Sequence, residues 1–526
     1  MRHRRRGVVE RATTQLVTTS EGGFRIARLQ TPSRAIDAGV SAGKHRGMWL
    51  GIDVGTSSVK VLLLDERGGA VAEAGAGHPV VRPRPGWAET APERWWDAVV
   101  TAVHALPRAA RAGVRGIGLS GQMHGIVLCS AEGVPVRPAI LWLDGRAAEC
   151  LALYPAGAEH TTGNAISAGM AGPALLWMER HEPEVLRAAR WALQPKDWIG
   201  LQLTGEAATD PSDASATLLA DRDGQWADGL IAELGIRREL LAPVVPSWRA
   251  VAGLSAAAAQ ALGLPAGVPV AAGAGDTLAA ALASGLDHES AAQLAIGTSA
   301  QVVVPRDAWP GFSPRLNAYR SANPDGLPRW CVMAAMLNGG AALEWARQTL
   351  NLTWDEAFAR AFADGAADGD VEFLPYLAGE RTPWMDPHLR AGWIGATAGD
   401  DAGALMRAAL TGVAFGIRAG LDALRAQGAA PRRLRLAGGG TVHLGWRQLL
   451  ADALGLPLDA VPAANAAARG AALLGGLAAG QLAPSQLAAF APVASPAAEP
   501  RGHAPLAARY ARFLDLRARL ADWFVR

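Results

Sequence analysis

Cysteine is nearly absent. Cys129, Cys150 and Cys331 are the only three among 526 residues, with no CxxC pair and no spacing that suits a metal. That excludes a disulfide framework and a zinc-ribbon site, and it fits thiols kept reduced inside a cell. Small buried side chains account for all three. An excess of one charge is missing too. Lys and Arg total 50 against 48 Asp and Glu, a net +2, so bulk charge does not point to nucleic acid. No stretch reads as a membrane span, although one is long enough to suggest it. The most apolar window, residues 264–286, has Asp276 at its centre, where a carboxylate costs about 3 kcal/mol on insertion. A cytoplasmic protein is expected. The common nucleotide fingerprints are also absent. No GxxxxGK[ST] occurs, and GAGDTL (273–278) and GGGTVH (438–443) both break GxGxxG at its last glycine.

What is present is an ordinary globular composition, 50% hydrophobic and 19% charged, with length for two large domains. The first 47 residues differ in kind. They hold ten Lys and Arg against three acids, and lack the apolar stretch of a secretory signal. Met48 directly precedes the first strand pattern. It reads as the natural start, with 1–47 a basic extension of little order.

Two stretches carry the chemistry. GIDVGTSSVK (51–60) reads as strand, tight turn and strand, and QLAIGTSAQVVV (293–304) repeats it. The chain thus reads as two α/β halves, each opened by a Gly-Thr-Ser hairpin, with a cleft between them. Such turns can present successive backbone N–H groups and hydroxyls to an anion. Thr56 and Ser57 in one, with Gly297, Thr298 and Ser299 in the other, would grip a triphosphate from two sides. Asp53 would then anchor the hydrated Mg²⁺ that travels with it. The glycine turn 438–440 would let a base or ribose approach backbone. Asp276 opens a helix within an uncharged stretch. It suits either a cap or a general base for an attacking hydroxyl, and phosphoryl transfer asks little more of a protein.

Helices are expected at 92–106, with Trp95, Val99 and Val103 on one face, near 338–350, at 401–427 and after Leu444, where Trp446, Leu449, Leu450 and Ala453 share a face. Strands are expected at 48–65, 70–81, 114–120 and 434–440, with a short helix at the C-terminus.

The ordered set GIDVGTSSVK, SGQMHG, LWLDGR, LQPKDW, TDPSDAS, GAGDT, AIGTSA, LPYLAGERTP and AGGGTVHLGWRQLLAD resembles the FGGY carbohydrate kinases over about residues 48–515. The resemblance implies two ribonuclease H-like domains of the actin/hexokinase type, 48–288 for sugar and 289–515 for nucleotide. It implies ATP-dependent phosphorylation of a ketose, D-xylulose foremost, with ATP and Mg²⁺ required. Asp276 would be the catalytic base, Asp53 the metal-associated carboxylate, and Met123 and His124 the ketose contacts. Gly438, Gly439 and Gly440 would face adenosine. The implied partners are a small sugar and MgATP, without nucleic acid or membrane, and with a homodimer left open. Three departures concern the sugar: Ala174 replaces a lysine, Leu143 an asparagine, and YRSANPDGLP a His-containing stretch. The alternatives are a kinase of another pentulose or pentitol, a silent sensor of sugar or nucleotide on the same fold, and a nucleic-acid binder using the basic arm.

Overall fold

The computed structural model describes residues 47–363, 369–437, 439–461, 465–502 and 504–525. The basic extension, apart from Gly47, and Gly438 of the glycine turn lie outside them.

The first half begins at β1 (Met48–Val54), buried along its whole length. It turns through Gly55–Ser57 into the antiparallel β2 (Ser58–Asp65), where Val54 faces Val59. β3 (Ala70–Gly77) completes the meander, four residues shorter than expected. Helix α1 (Pro92–His104) has proline in its first turn and buries Trp95, Val99 and Val103. β4 (Val114–Gly121) lies parallel to β1. β5 (Pro269–Ala271) lies parallel to β4, and the same path resumes at Ala274–Gly275. The sheet order is β3-β2-β1-β4-β5, with Ala250–Gly253 on the edge.

Helix α2 (Asp276–Ala283) leads to the second half. There β6 (Gln293–Ile296) and β7 (Ala300–Arg306) form the second hairpin. β8 (Asn317–Arg320) and β9 (Trp330–Met336) follow, then α3 (Gly340–Thr349) and α4 (Ala402–Ala426). β10 (Leu434–Ala437) and β11 (Leu458–Ala460) flank α5 (Leu444–Leu454). The strand expected to reach residue 440 stops at Ala437, and Gly439–Thr441 form a 3₁₀ turn. The core order is β9-β7-β6-β10-β11, with β8 outside β9 and Ser495–Ala498 outside β11. Strand for strand this is the first sheet again: two antiparallel pairings, then two parallel ones. The weak sequence repeat is therefore a repeat of fold.

Helix α4 is long and apolar enough to cross a membrane, but most of it is buried in the second core, so it reads as a core helix. The terminal helix is longer than expected, Ala504–Leu520.

The halves are joined by exchanged helices. Leu278, Ala281 and Leu282 of α2 share a core with Val303, Cys331 and Met333 of the second sheet. In return α6 (Ala466–Ala478) covers the first sheet, its Leu473 and Leu477 clustering with Trp49, Leu62 and Leu64. The approach is close enough to exclude a side chain. A Cβ on Gly118 would lie 1.8 Å from the Ala471 carbonyl oxygen, and one on Gly470 would lie 1.9 Å from that of Ala279.

Candidate active site

Register builds the site. In three parallel strands Asp53 of β1 lies beside Ser120 of β4, and Ser120 beside Ala274. Asp276 follows two residues later, so both carboxylates emerge at the carboxyl ends of the strands that flank β4, where α/β sheets bind ligands. Met123 and His124 lie just beyond β4. A Cβ on Gly275 would lie 2.7 Å from Met123 Cγ, which puts that thioether against the backbone that carries Asp276.

Both carboxylates are costly to ionise. Burial raises the Asp53 pKa, while the Ser120 hydroxyl, donating to Oδ1 at 3.0 Å, and the charge of Lys60 oppose the rise. Burial pushes Asp276 up to about 7, and the charge of Asp53 adds to the shift. The Thr277 backbone N–H (2.6 Å) and hydroxyl (3.2 Å) donate to Asp276 Oδ1 and pull the other way. Gly275, not Asp276, is the N-cap of α2. A carboxyl poised near neutrality is suited to take a proton at pH 7.

His124 is held in a left-handed conformation, φ 72°, which costs about 1 kcal/mol for a residue with a Cβ. Its Nδ1 lies 2.8 Å from the Ala216 carbonyl oxygen. Burial lowers its pKa to about 4, with Arg381 contributing. The ring is therefore neutral at pH 7. With Nδ1–H donating to Ala216, Nε2 is left to accept from a hydroxyl.

A buried ionic knot stands behind Asp276. Lys196 Nζ pairs with Asp197, with Asp210 at 2.9 Å and with Asp213 at 3.3 Å, all of them fully enclosed. Burial raises the pKa of Asp197 and, further, that of Asp213. Asp210 caps a short helix through the N–H groups of Ser212 and Asp213, and accepts from Ser247 at 2.6 Å. The Ser212 hydroxyl accepts from the Gly275 N–H at 3.0 Å, one residue before Asp276. The PKDW and TDPSDAS stretches thus brace the strand end that leads into Asp276.

The two hairpins differ in their surroundings. Thr56 is half-buried, and its hydroxyl accepts from Trp142 Nε1 at 3.0 Å; Ser57 is exposed. Gly297 and Thr298 are exposed and Ser299 is half-buried. The carbonyls of Gly297 and Thr298 accept the first N–H groups of α3, from Gly340 (2.8 Å) and Ala341 (3.0 Å). The same residues line a depression of about 460 Å³ with Glu344, Trp345 and Gln348. Gly440 backs onto β6: a Cβ there would lie 2.9 Å from the Ile296 carbonyl oxygen, beside the hairpin. Gly439 opens the same 3₁₀ turn.

The structure therefore gathers Asp53, Asp276, Met123 and His124 at the carboxyl ends of strands in the first sheet, and Gly297–Ser299 with Gly439 and Gly440 at the corresponding ends in the second. Sequence reasoning did not single out Ser120, Trp142 or Thr277. Ser120 and Trp142 reach their partners across the fold, so only pairing register or packing could reveal them. Thr277, beside Asp276 in the quoted GAGDT stretch, was local enough to be found. Leu143 is 36% exposed next to Trp142, whereas Ala174 is buried in a helix. Of these two departures, Leu143 is open to solvent and Ala174 is not.

Residues 48–283 match the N-terminal domain, and residues 292–479 the C-terminal domain, of the FGGY family of carbohydrate kinases. A xylulose kinase of Escherichia coli (strain K12) is 38% identical over 422 residues, covering 78% of this chain and 86% of that protein. The crystal structure of a xyloylose kinase from Brucella ovis superposes with a TM-score of 0.85 at 35% identity, covering 90% of this chain and 99% of that one. That of a xylulose kinase from Rhodospirillum rubrum gives 0.83 at 29% identity, covering 91% and 100%. The fold is that of the actin/hexokinase-like ATPases, and the chain belongs to the FGGY family of carbohydrate kinases.

Proposed function

We propose that this chain catalyses ATP-dependent phosphorylation of D-xylulose to D-xylulose 5-phosphate. The observation that carries the mechanism is the Asp276 carboxyl. It is held near pKa 7 by burial and by Asp53, beside Met123 and a neutral His124. The ketose binds with His124 Nε2 accepting from one of its hydroxyls and Met123 forming an adaptable wall. Asp276 accepts the proton of the C5 hydroxyl as that oxygen attacks the γ-phosphorus of ATP, and ADP leaves. The triphosphate lies between Thr56–Ser57 and Gly297–Ser299, with adenosine against the 438–440 turn. The sugar domain runs over 48–288 and the nucleotide domain over 289–515. These substrates are those of the cytoplasm.

Mg²⁺ fits the residues present. Asp53 and Asp276 repel each other, and among the described residues Lys60 is the cation that offsets Asp53. Among the described residues no group of three or more His, Cys, Asp or Glu could cage a metal, which suits an ion that keeps its waters and its phosphate ligands. Asp53 would hold it through water, and the ion would neutralise phosphate charge.

The test is ATP turnover by the full chain on D-xylulose, D-ribulose, L-ribulose, L-xylulose, D-arabinitol, xylitol and glycerol, with Mg²⁺ and with EDTA. The proposal predicts Mg²⁺-dependent turnover, fastest on D-xylulose. Preference for another pentulose would keep the chemistry and trace the change to Leu143 or to the YRSANPDGLP segment. Folded protein that binds ATP and turns over none of them would be a sensor instead.

A further inference from the structure

The chain has four tyrosines, Tyr154, Tyr319, Tyr376 and Tyr510. Three have protein partners for their hydroxyls. Tyr154 donates to the Leu218 carbonyl, Tyr376 accepts from Trp384 Nε1 at 2.9 Å, and Tyr510 donates to Asp422 at 2.8 Å. Tyr319 differs. It is 1% exposed, and its hydroxyl has no hydrogen-bond partner among the described residues. Neither does it belong with the polar atoms sealed from solvent without a partner. A phenol that deep ordinarily finds a partner. This one keeps a small solvent-accessible space at its hydroxyl.

That space is the sugar side of the site. The Tyr319 ring lies 5.8 Å from the His124 ring, centroid to centroid. Tyr319 shares an apolar cluster with Met123 and with Leu278 of α2. Asp276 and Arg381 both act on its hydroxyl electrostatically, and burial keeps it protonated. Yet Tyr319 comes from β8, in the second half of the chain.

Its position is fixed from the first half. The Asn164 side chain bonds both backbone groups of Ala318, accepting from N–H at 2.9 Å and donating to the carbonyl at 2.8 Å. The Arg320 N–H donates to the Ser215 hydroxyl at 3.0 Å. Tyr319 is therefore clamped on both sides, and the adjacent Ala216 carbonyl holds His124. One short segment, Ser215–Ala216, sets the position of both rings.

We infer that Tyr319 is a specificity-determining residue for the sugar, contributed by the second half: its hydroxyl donates a hydrogen bond to a ketose hydroxyl on the His124 side of the pocket. This inference rests on the proposed pentulose kinase activity and deepens it. The hydroxyl stands in the YRSANPDGLP segment that departs from the family pattern. A directed donor there distinguishes pentuloses that differ in the configuration of one hydroxyl, because the wrong epimer leaves the buried phenol unpaired.

The test is Tyr319→Phe in the full chain, which removes one oxygen and keeps the ring. Sugar binding is measured by calorimetry without nucleotide, and steady-state kinetics are measured on D-xylulose, D-ribulose, L-xylulose and L-ribulose. The inference predicts about tenfold weaker D-xylulose binding, a KM raised in proportion, and a narrower spread of kcat/KM among the four sugars. The KM for ATP stays unchanged, and so does Tm to within about 2 °C. D-xylulose affinity and KM within twofold of wild type, with the ranking of the sugars intact, would make Tyr319 a packing residue and overturn the inference. Wild-type protein that neither binds nor phosphorylates any of the four would instead overturn the proposed activity, and this inference with it.

Discussion

Asp276 is a carboxyl that the fold makes costly to ionise, and that cost has two measurable signs. Activity needs the ionised form, so kcat/KM rises with pH through about 7 and levels off above it. A pH–rate profile of the free enzyme reads that limb. Asp53→Asn removes the neighbouring charge, so the limb moves to lower pH as overall turnover falls. Stability moves the other way. The folded pKa lies above the unfolded value of 3.8, so the native state binds more protons across that window. Stability from this group is complete below about pH 4 and is lost as pH rises through 7. Asp276→Asn therefore raises Tm at pH 8, and the advantage fades towards pH 4, which thermal melts at the two pH values would show. Both carboxylates were legible in the sequence, because each stands in an apolar, glycine-rich stretch. Their mutual field was not, since it depends on which strands are neighbours. Tyr319 was inside a segment already marked as unusual, but nothing in a sequence says that a hydroxyl lacks a partner.

Elements carry the next level of the account. The helix Pro195–Thr204 inserts Lys196 between three aspartates. Lys196→Met leaves those carboxylates buried without their cation, a loss of about 3–5 kcal/mol. Urea unfolding measures it, and a loss under about 1 kcal/mol would show that the aspartates relax or bind protons instead. Helix α6 poses a packing question. Gly118→Ala puts a methyl where the Ala471 carbonyl oxygen already lies. Overpacking of this kind typically costs about 1–3 kcal/mol, and more where backbone must move. The variant should melt well below wild type, and an unchanged Tm would contradict so close a seat for α6. The hairpins, α1 and α5 were legible from alternation and helical periodicity. The helix at 466–478 was not. Its sequence, AAARGAALLGGLA, is buried between two halves and shows no polar stripe, so the signal that marks a surface helix is missing.

At the scale of the molecule, the repeat that the two hairpins suggested is a duplicated sheet, and the duplication separates the chemistry. The first sheet presents Asp276, Met123 and His124, proposed as base and sugar contacts, and the second the hairpin and glycine turn proposed for nucleotide. The exchanged helices and the clamp on β8 tie the two together. β1 begins at Met48, whose side chain is 1% exposed, so protein starting at Met48 should phosphorylate as fast as the full chain, and a large loss would give the extension a role. The exchange of helices was beyond sequence reasoning, because chain order assigns α6 to the half it does not cover. The central claim is that Asp276 is the base for phosphoryl transfer to D-xylulose. Its most direct test is Asp276→Asn in the full chain, with kcat at saturating MgATP and D-xylulose set beside sugar affinity by calorimetry. The account predicts turnover lower by about 10²–10⁴-fold with sugar affinity within a few fold of wild type. Turnover near the wild-type rate would contradict it.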